Sequence, residues 1–132
     1  MARYEDAKDV LASVQSTLQF EFGDRPIRSI DDRGMFGDTP LIITMSWEDV
    51  EAARLLLEAG AAVDARGEDG ETALHRAASS DSVELVRLLM DAGASADIEN
   101  DEGRTPRDIA RVLGNSEILD VIAGGRDRRA TS

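Results

Sequence analysis

Two segments of the chain carry matched apolar stripes separated by charged positions. Both segments have apolar residues three to four apart, at Val50, Ala53 and Leu57 and at Val83, Val86 and Met90. Residues with that spacing share one face of a helix, so each segment predicts an amphipathic α-helix. Gly60 and Gly93 follow the stripes, and a glycine in that place is typical of a helix end.

A threonine precedes each of three shorter segments that also predict helices. Thr39, Thr72 and Thr105 are each followed by proline or alanine. A threonine oxygen accepts a hydrogen bond from the first turn of a helix, and proline fits the first helical position because its missing donor is not needed there. The three threonines are spaced by 33 residues, and the glycines two residues before them keep the same step. The sequence therefore predicts three units of two helices each, linked by polar segments that project as exposed finger loops.

The amino-terminal residues predict a capping helix over residues 4–19. Its apolar positions lie on one helical face, at Ala7, Val10, Leu11, Val14 and Leu18. That face is expected to cover the first unit, since the end of a stack must be shielded from solvent. Residues 18–22 alternate in polarity as a strand would, so the conformation of residues 18–29 stays open.

The motifs TPL, TALHRAA and TPRDIA recur at a period of 33, with the second helix ELVRLLMDAGA between the last two. On these motifs, residues 30–123 resemble the ankyrin repeat family. The resemblance implies an all-α solenoid of about three 33-residue helix-turn-helix units with finger loops and an amino-terminal capping helix. The implied boundaries are residues 1–29 for the capping helix and linker, 30–62, 63–95 and 96–123 for the three repeats, and 124–132 for a disordered tail.

Several positions depart from the pattern of the family. Ile42 and Asp108 stand where the family usually has histidine, and Glu48 and Asp81 replace the usual glycine between the two helices. In the third unit, Arg107 takes the place of a leucine. Departures of this kind are expected in terminal repeats, one side of which faces solvent or a cap.

The only histidine, His75, invites a catalytic interpretation, which the rest of the sequence does not support. The resemblance implies that this histidine forms local hydrogen bonds and ties neighbouring repeats together. A catalytic histidine needs a nucleophile or an acid–base partner, and the chain has no cysteine and no serine in a nucleophile motif. Asp97, Glu99 and Asp101 alternate like the start of a calcium loop, but the required glycine is displaced and Asp108 stands in place of the closing glutamate. We expect no enzymatic activity, no metal and no cofactor.

The formal net charge of −12 bears on the partner. It disfavours nucleic acid, because phosphate binding needs a basic face. It favours a basic protein partner, or it serves only to keep the protein soluble. The apolar runs are too short to span a membrane and the amino terminus has no signal-peptide core, so we expect a soluble cytoplasmic protein. One lysine against fourteen arginines suggests a GC-rich, bacterial genome.

The resemblance implies that a protein partner binds the finger tips and the inner helix face. These positions form three rows, one for each unit. The first row is Arg33, Met35, Phe36, Asp38, Ser46 and Trp47. The second is Arg66, Glu68, Asp69, Glu71, Ser79 and Ser80. The third is Glu99, Asp101, Glu102, Arg104, Val112 and Leu113.

The content of the rows predicts an apolar anchor beside an acidic strip. Met35, Phe36 and Trp47 form the anchor, because large apolar side chains on a polar surface dominate binding energies. The strip comprises the carboxylates of the second and third rows, Glu68, Asp69, Glu71, Glu99, Asp101 and Glu102. The alternative is that Phe36 and Trp47 pack against the amino-terminal segment.

These observations predict a non-enzymatic protein-binding module with a basic partner. Small acidic chains of this type resemble bacterial immunity proteins, which block a toxin or effector enzyme by covering its active site. The alternative is a scaffold or regulatory adaptor that docks a cellular protein without inhibiting it. We expect a monomer before complex formation, with no binding to nucleic acid or membranes.

Overall fold

The structure, a computed structural model, describes residues 4–17, 27 and 29–131. Within these ranges the chain is helical and contains no β-strand. The helices are α1 (Ala7–Thr17), α2 (Pro40–Ser46), α3 (Val50–Glu58), α4 (Ala73–Ser79), α5 (Val83–Asp91), α6 (Pro106–Leu113) and α7 (Ser116–Thr131). A single 3-10 turn, Glu68–Gly70, lies in the loop before α4.

The helices form two layers of a short solenoid, as the sequence predicts. The first helices of the units, α2, α4 and α6, pack in one row, and the second helices, α3, α5 and α7, pack in another. Within each unit the first helix contacts the second, and α1 packs on both helices of the first unit. The apolar core lies between the two rows, where the matched stripes of each unit meet those of its neighbour.

The same threonine cap begins α2, α4 and α6. Thr39, Thr72 and Thr105 each accept a hydrogen bond from the backbone N–H three residues further on, at 3.4, 3.4 and 3.1 Å. Pro40 and Pro106 occupy the first turn of their helices, as predicted. A cap of this kind stabilises a helix by about 1 kcal/mol, which matters for helices of only seven or eight residues.

The turn between the two helices of each unit requires a left-handed residue. Glu48, Asp81 and Gly114 hold this position in the three units, with φ of 52°, 64° and 70°. Glycine adopts such a φ freely, whereas a residue with a Cβ loses about 1 kcal/mol there. The first two units therefore keep the backbone geometry of the repeat although they lack its glycine.

Helix α1 caps the first unit with its apolar face. Val10 and Val14 are fully buried, and Ala7 and Leu11 pack at the edge of the main core, which contains Val10. Tyr4 adds a polar tie, because its hydroxyl donates to a carboxylate oxygen of Asp49 at 2.9 Å. The predicted capping helix is thus confirmed. Leu18 and the alternating segment of residues 18–22 lie outside the described residues.

The last helix, α7, spans Ser116–Thr131. Ile118 and Ile122 are fully buried and fix its first turns on α5 and α6. Once a helix is nucleated, each further residue adds a hydrogen bond at little cost, and arginine and alanine are strong helix formers.

None of the helices in the described part of the chain combines the length and the apolar character needed to cross a membrane.

Candidate protein-binding face

The three finger loops are joined to one another by hydrogen bonds. The backbone N–H of Glu68 donates to Oδ1 of Asp38 at 2.8 Å, which joins the first finger to the second. The N–H of Asp101 donates to the carbonyl of Asp69 at 2.9 Å, which joins the second to the third. Arg66 Nη2 also lies 3.4 Å from Oδ1 of Asp101. The row of fingers is therefore one connected surface.

Two arginines of the predicted face hold the finger backbone. Arg33 Nη1 donates to the carbonyl of Gly37 at 2.7 Å and also to the carbonyl of Arg66 in the next finger. Arg66 Nε donates to the carbonyl of Gly70 at 3.0 Å, which closes the second finger in the same way. Both side chains are exposed, so they combine a supporting role with a position at the surface.

Asp38 does not lie at the surface, contrary to the sequence prediction. It is only 6% exposed, and it forms an ion pair with Arg76 Nη2 at 3.3 Å. Arg76 Nε pairs with Oε1 of Glu71 at 3.0 Å, and Nδ2 of Asn100 donates to the other oxygen of Glu71 at 3.3 Å. This polar network connects all three units beneath the fingers. The carboxylates of Asp38 and Glu71 are consequently engaged within the fold.

Arg76 itself was missed by the sequence analysis. It stands in the register of Ile43 and Ile109, which are isoleucine in the other two units. A charged residue at a position that is apolar elsewhere in the repeat is the signal that could have revealed it. Its partner could not be identified from the sequence, because Asp38 is distant along the chain and meets it only when the units stack.

Some carboxylates of the predicted acidic strip form ion pairs within the fold. Asp101 pairs with Arg66, but the two side chains are 67% and 50% exposed. Because solvent screens such a pair, it contributes little to stability. The strip carboxylates that form no ion pair with another described residue are Glu68, Asp69, Glu99 and Glu102. All four are exposed. They therefore retain their charge for a partner.

The predicted apolar anchor divides into an exposed part and a packed part. Met35 is 65% exposed and Phe36 is 47% exposed at the first finger. Trp47 is half-buried and packs on a small apolar cluster of Val14, Ile43 and Ile27. This contact with the capping segment is the alternative that the sequence left open for Trp47. Met35 and Phe36 remain at the surface.

A second exposed apolar pair lies at the end of α6. Val112 is 72% exposed and Leu113 is 54% exposed. Both border a groove of about 240 Å³ between the second and third units. The other residues that line it are Glu71, Ser79, Asn100, Glu102, Arg104 and Ile109. Val112 and Leu113 belong to the third predicted row, whereas the sequence predicted an apolar anchor only in the first row. Ser80, of the second row, is half-buried, and its hydroxyl donates back to the carbonyl of Ala77 at 3.0 Å.

His75 is buried and connects the second unit to the third. The backbone N–H of Thr72 donates to Nδ1 of His75 at 3.0 Å. Nε2 lies 2.9 Å from the carbonyl oxygen of Arg104. Since a carbonyl can only accept, Nε2 carries the proton and Nδ1 is the acceptor. Both ring nitrogens are therefore used by the fold, as the resemblance implied.

Asp108 takes the place of that histidine in the third unit. The N–H of Thr105 donates to its Oδ2 at 3.0 Å, which completes a capping box. This backbone hydrogen bond, with the Thr105 hydroxyl and the charges of Arg111 and Arg107, holds the pKa of Asp108 below its ordinary value. An aspartate has no group equivalent to Nε2–H, which donates across units in His75. Asp108 therefore serves the cap of its own helix and does not reproduce the cross-unit bond of His75.

The described carboxylates do not converge on a metal-binding arrangement. No group of three or more histidine, aspartate and glutamate side chains that could hold a metal ion occurs in the part of the chain that the structure covers. The calcium-like spacing of residues 97–101 is split in the fold, because Asp97 pairs with Arg107 at 3.1 Å and Asp101 with Arg66.

Comparison with known proteins supports the repeat architecture. A family model described as ankyrin repeats in three copies matches residues 10–100 and 64–128. The two matches together extend from α1 into α7 and include every finger loop. No curated protein matches the chain.

Proposed function

The chain belongs to the ankyrin repeat family, and from this premise we propose that it is a small acidic inhibitor of a basic protein. Ankyrin repeats are a protein–protein interaction module, so the chain has a protein partner. The partner we propose is a toxin or effector enzyme whose basic active-site face is covered by the finger row. The chain acts as a monomer before it forms this complex, without chemistry of its own.

The observation that carries the proposal is the row of exposed, internally unpaired carboxylates on the fingers. Glu68, Asp69, Glu99 and Glu102 lie on adjacent loops, and the net charge of the whole chain is −12. Complementary charge accelerates association and selects partners, more than it adds affinity. A basic face is the surface that this row complements best.

The rigidity of the fingers supports an inhibitor. The hydrogen bonds that Glu68 and Asp101 form across fingers fix the relative positions of the loops. A surface that is ordered before binding loses little conformational entropy when it binds. Met35 and Phe36 supply exposed apolar area beside the acidic row, and such side chains dominate the energy of interfaces.

Affinity capture from the native host, at low and at high salt, tests this proposal. The bait is compared with a variant in which Glu68, Asp69, Glu99 and Glu102 are replaced by their amides. The matched control replaces four exposed carboxylates away from the fingers, Glu48, Glu84, Glu117 and Asp120, by their amides. We expect a basic partner that is lost at high salt and with the finger variant but retained with the control.

The activity of the captured partner decides between inhibition and docking. Addition of the purified chain to an active enzyme or toxin should abolish its activity at a one-to-one ratio. A partner that binds with undiminished activity would identify a scaffold or regulatory adaptor. Equal loss of capture with both charge variants would show that only total charge matters, which contradicts a finger-specific interface.

A further inference from the structure

We propose that the groove between the second and third units accepts one apolar side chain of the partner, flanked by basic residues. This inference rests on the proposed function, because it names the part of the partner that the finger row would hold. The apolar part of the groove is formed by Ile109, Val112 and Leu113, all on α6. Its rim carries Glu102 and Arg104 from the third finger.

The exposure of Val112 and Leu113 is not required by the fold. In the second unit the same two positions are Ser79 and Ser80. Helix α4 nevertheless forms with the same threonine cap as α6 and is only one residue shorter. The stack therefore tolerates polar residues there. Two adjacent large apolar side chains, 72% and 54% exposed and bordering a groove, are typical of a contact surface.

The size of the groove limits what can enter it. Its volume is about 240 Å³. An apolar cavity of about 150 Å³ admits a benzene molecule, so this groove has room for one leucine, methionine or phenylalanine side chain. It has no room for a whole helix. The occupant is consequently a single side chain of the partner.

The charge around the groove determines which partner residues can flank the apolar side chain that enters it. The third finger carries Glu99, Asp101 and Glu102 against the single charge of Arg104. Glu71, on the opposite wall, is already paired with Arg76. The excess carboxylates favour arginine or lysine next to the apolar side chain.

The rim is ordered before anything binds. Oδ1 of Asn100 accepts from the backbone N–H of Glu102 at 2.9 Å and from that of Arg104 at 3.0 Å. The carbonyl of Arg104 also accepts from His75 in the neighbouring unit. The backbone that carries both rim charges is thus held by a side chain on its own finger and by one on the second unit.

A titration followed by amide NMR tests the inference with three short peptides as probes. The first has a central leucine with two arginines on each side, the second has alanine in place of leucine, and the third has glutamates in place of the arginines. We expect the first to shift the amides of Glu102, Arg104, Val112 and Leu113. Binding of the alanine peptide should be weaker by at least about tenfold, and the acidic peptide should not bind.

The variant Val112→Ser with Leu113→Ser installs the serines of the second unit and supplies the matched test. It should keep the thermal stability of the natural chain and lose at least about tenfold in affinity for the leucine peptide. A second variant, Glu84→Ser with Arg87→Ser, installs two serines on the exposed face of α5 and should bind the peptide normally.

Four results would overturn the groove assignment. The first two are equal binding of the leucine and alanine peptides, and shifts confined to the first finger. The other two are binding of the leucine peptide to the serine variant as tightly as to the natural chain, and no binding of that peptide to the natural chain. None of these results affects partner capture, which tests the proposed function separately. Conversely, the leucine peptide could bind the groove although no partner is captured. That result would support the groove assignment and contradict the inhibitor role.

Discussion

Nε2 of His75 lies 2.9 Å from the carbonyl oxygen of Arg104, and this bond connects the second unit to the third just before the start of α6. The same imidazole accepts from the N–H of Thr72, so it closes the cap of its own helix as well. One buried side chain therefore stabilises both a helix and the interface between units.

Replacement of His75 by alanine should destabilise the chain by about 2–4 kcal/mol, because it leaves the buried N–H of Thr72 unpaired, removes the bond to the carbonyl of Arg104 and opens a cavity. Urea unfolding measures the loss. Arg87→Ala, on an exposed face of α5, is the control and should change stability by less than about 0.5 kcal/mol. A similarly small change for His75→Ala would show that the cross-unit bond is not needed.

The left-handed turn of the first unit offers a stabilising substitution. Glu48 has a φ of 52° and an exposed side chain, so Glu48→Gly should relieve backbone strain without loss of a buried contact. We expect a gain of about 0.5–1 kcal/mol, seen as a rise of about 2–4 °C in Tm. Glu51→Gly, inside α3, should instead lower stability by about 1 kcal/mol. A loss of stability for both variants would contradict the strain argument.

The sequence predicted those parts of the fold that depend on local chemistry and on the repeat. The caps at Thr39, Thr72 and Thr105 follow from one residue type and its spacing, and the structure confirms them. The role of His75 followed from the resemblance to a family. The capping helix followed from the apolar face around Val10, which is fully buried.

The parts that the sequence did not predict depend on which units meet in space. The burial of Asp38 results from its pairing with Arg76, and no local pattern connects the two. Trp47 is half-buried because α1 happens to supply Val14 beside it. The groove beside Val112 could not be predicted from the position of this residue on α6, since it forms only where the second and third units meet.

Acid should weaken the third cap through Asp108. Hydrogen bonds from Thr105 hold the pKa of Asp108 below its ordinary value, so the ionised form stabilises the fold. A group with a lowered folded pKa contributes stability above its unfolded pKa, about 3.9, and loses it as the pH falls through the folded pKa. The difference in Tm between the natural chain and Asp108→Asn should be constant above about pH 5 and shrink below about pH 4.

The control for this pH dependence is Asp120→Asn. It removes the same charge from α7, from an exposed side chain that accepts no hydrogen bond from the described residues. Its Tm should follow that of the natural chain through the acid range. If the Tm of Asp108→Asn also runs parallel to that of the natural chain as the pH falls, the cap does not depend on the charge of residue 108.

Arg76 should be the most sensitive charged position beneath the fingers. Arg76→Ile installs the residue that the other two units have, but it leaves the buried carboxylate of Asp38 and the half-buried one of Glu71 without their cation. Removal of one partner from a fully buried pair costs about 3–5 kcal/mol, and with these side chains partly exposed we expect about 2–3 kcal/mol. Hydrogen exchange at the amide of Glu68, which donates to Asp38, should accelerate.

The same network predicts that removing all three charges restores most of the lost stability. In the variant Asp38→Asn, Glu71→Gln and Arg76→Ile, the amide oxygen of residue 38 still accepts from the N–H of Glu68, and no unpaired charge remains. Replacing a buried ion network by neutral groups is often close to neutral, so this variant should unfold within about 1 kcal/mol of the natural chain. A triple variant as unstable as Arg76→Ile alone would mean that the apolar stem of the arginine, rather than its charge, supports the fingers.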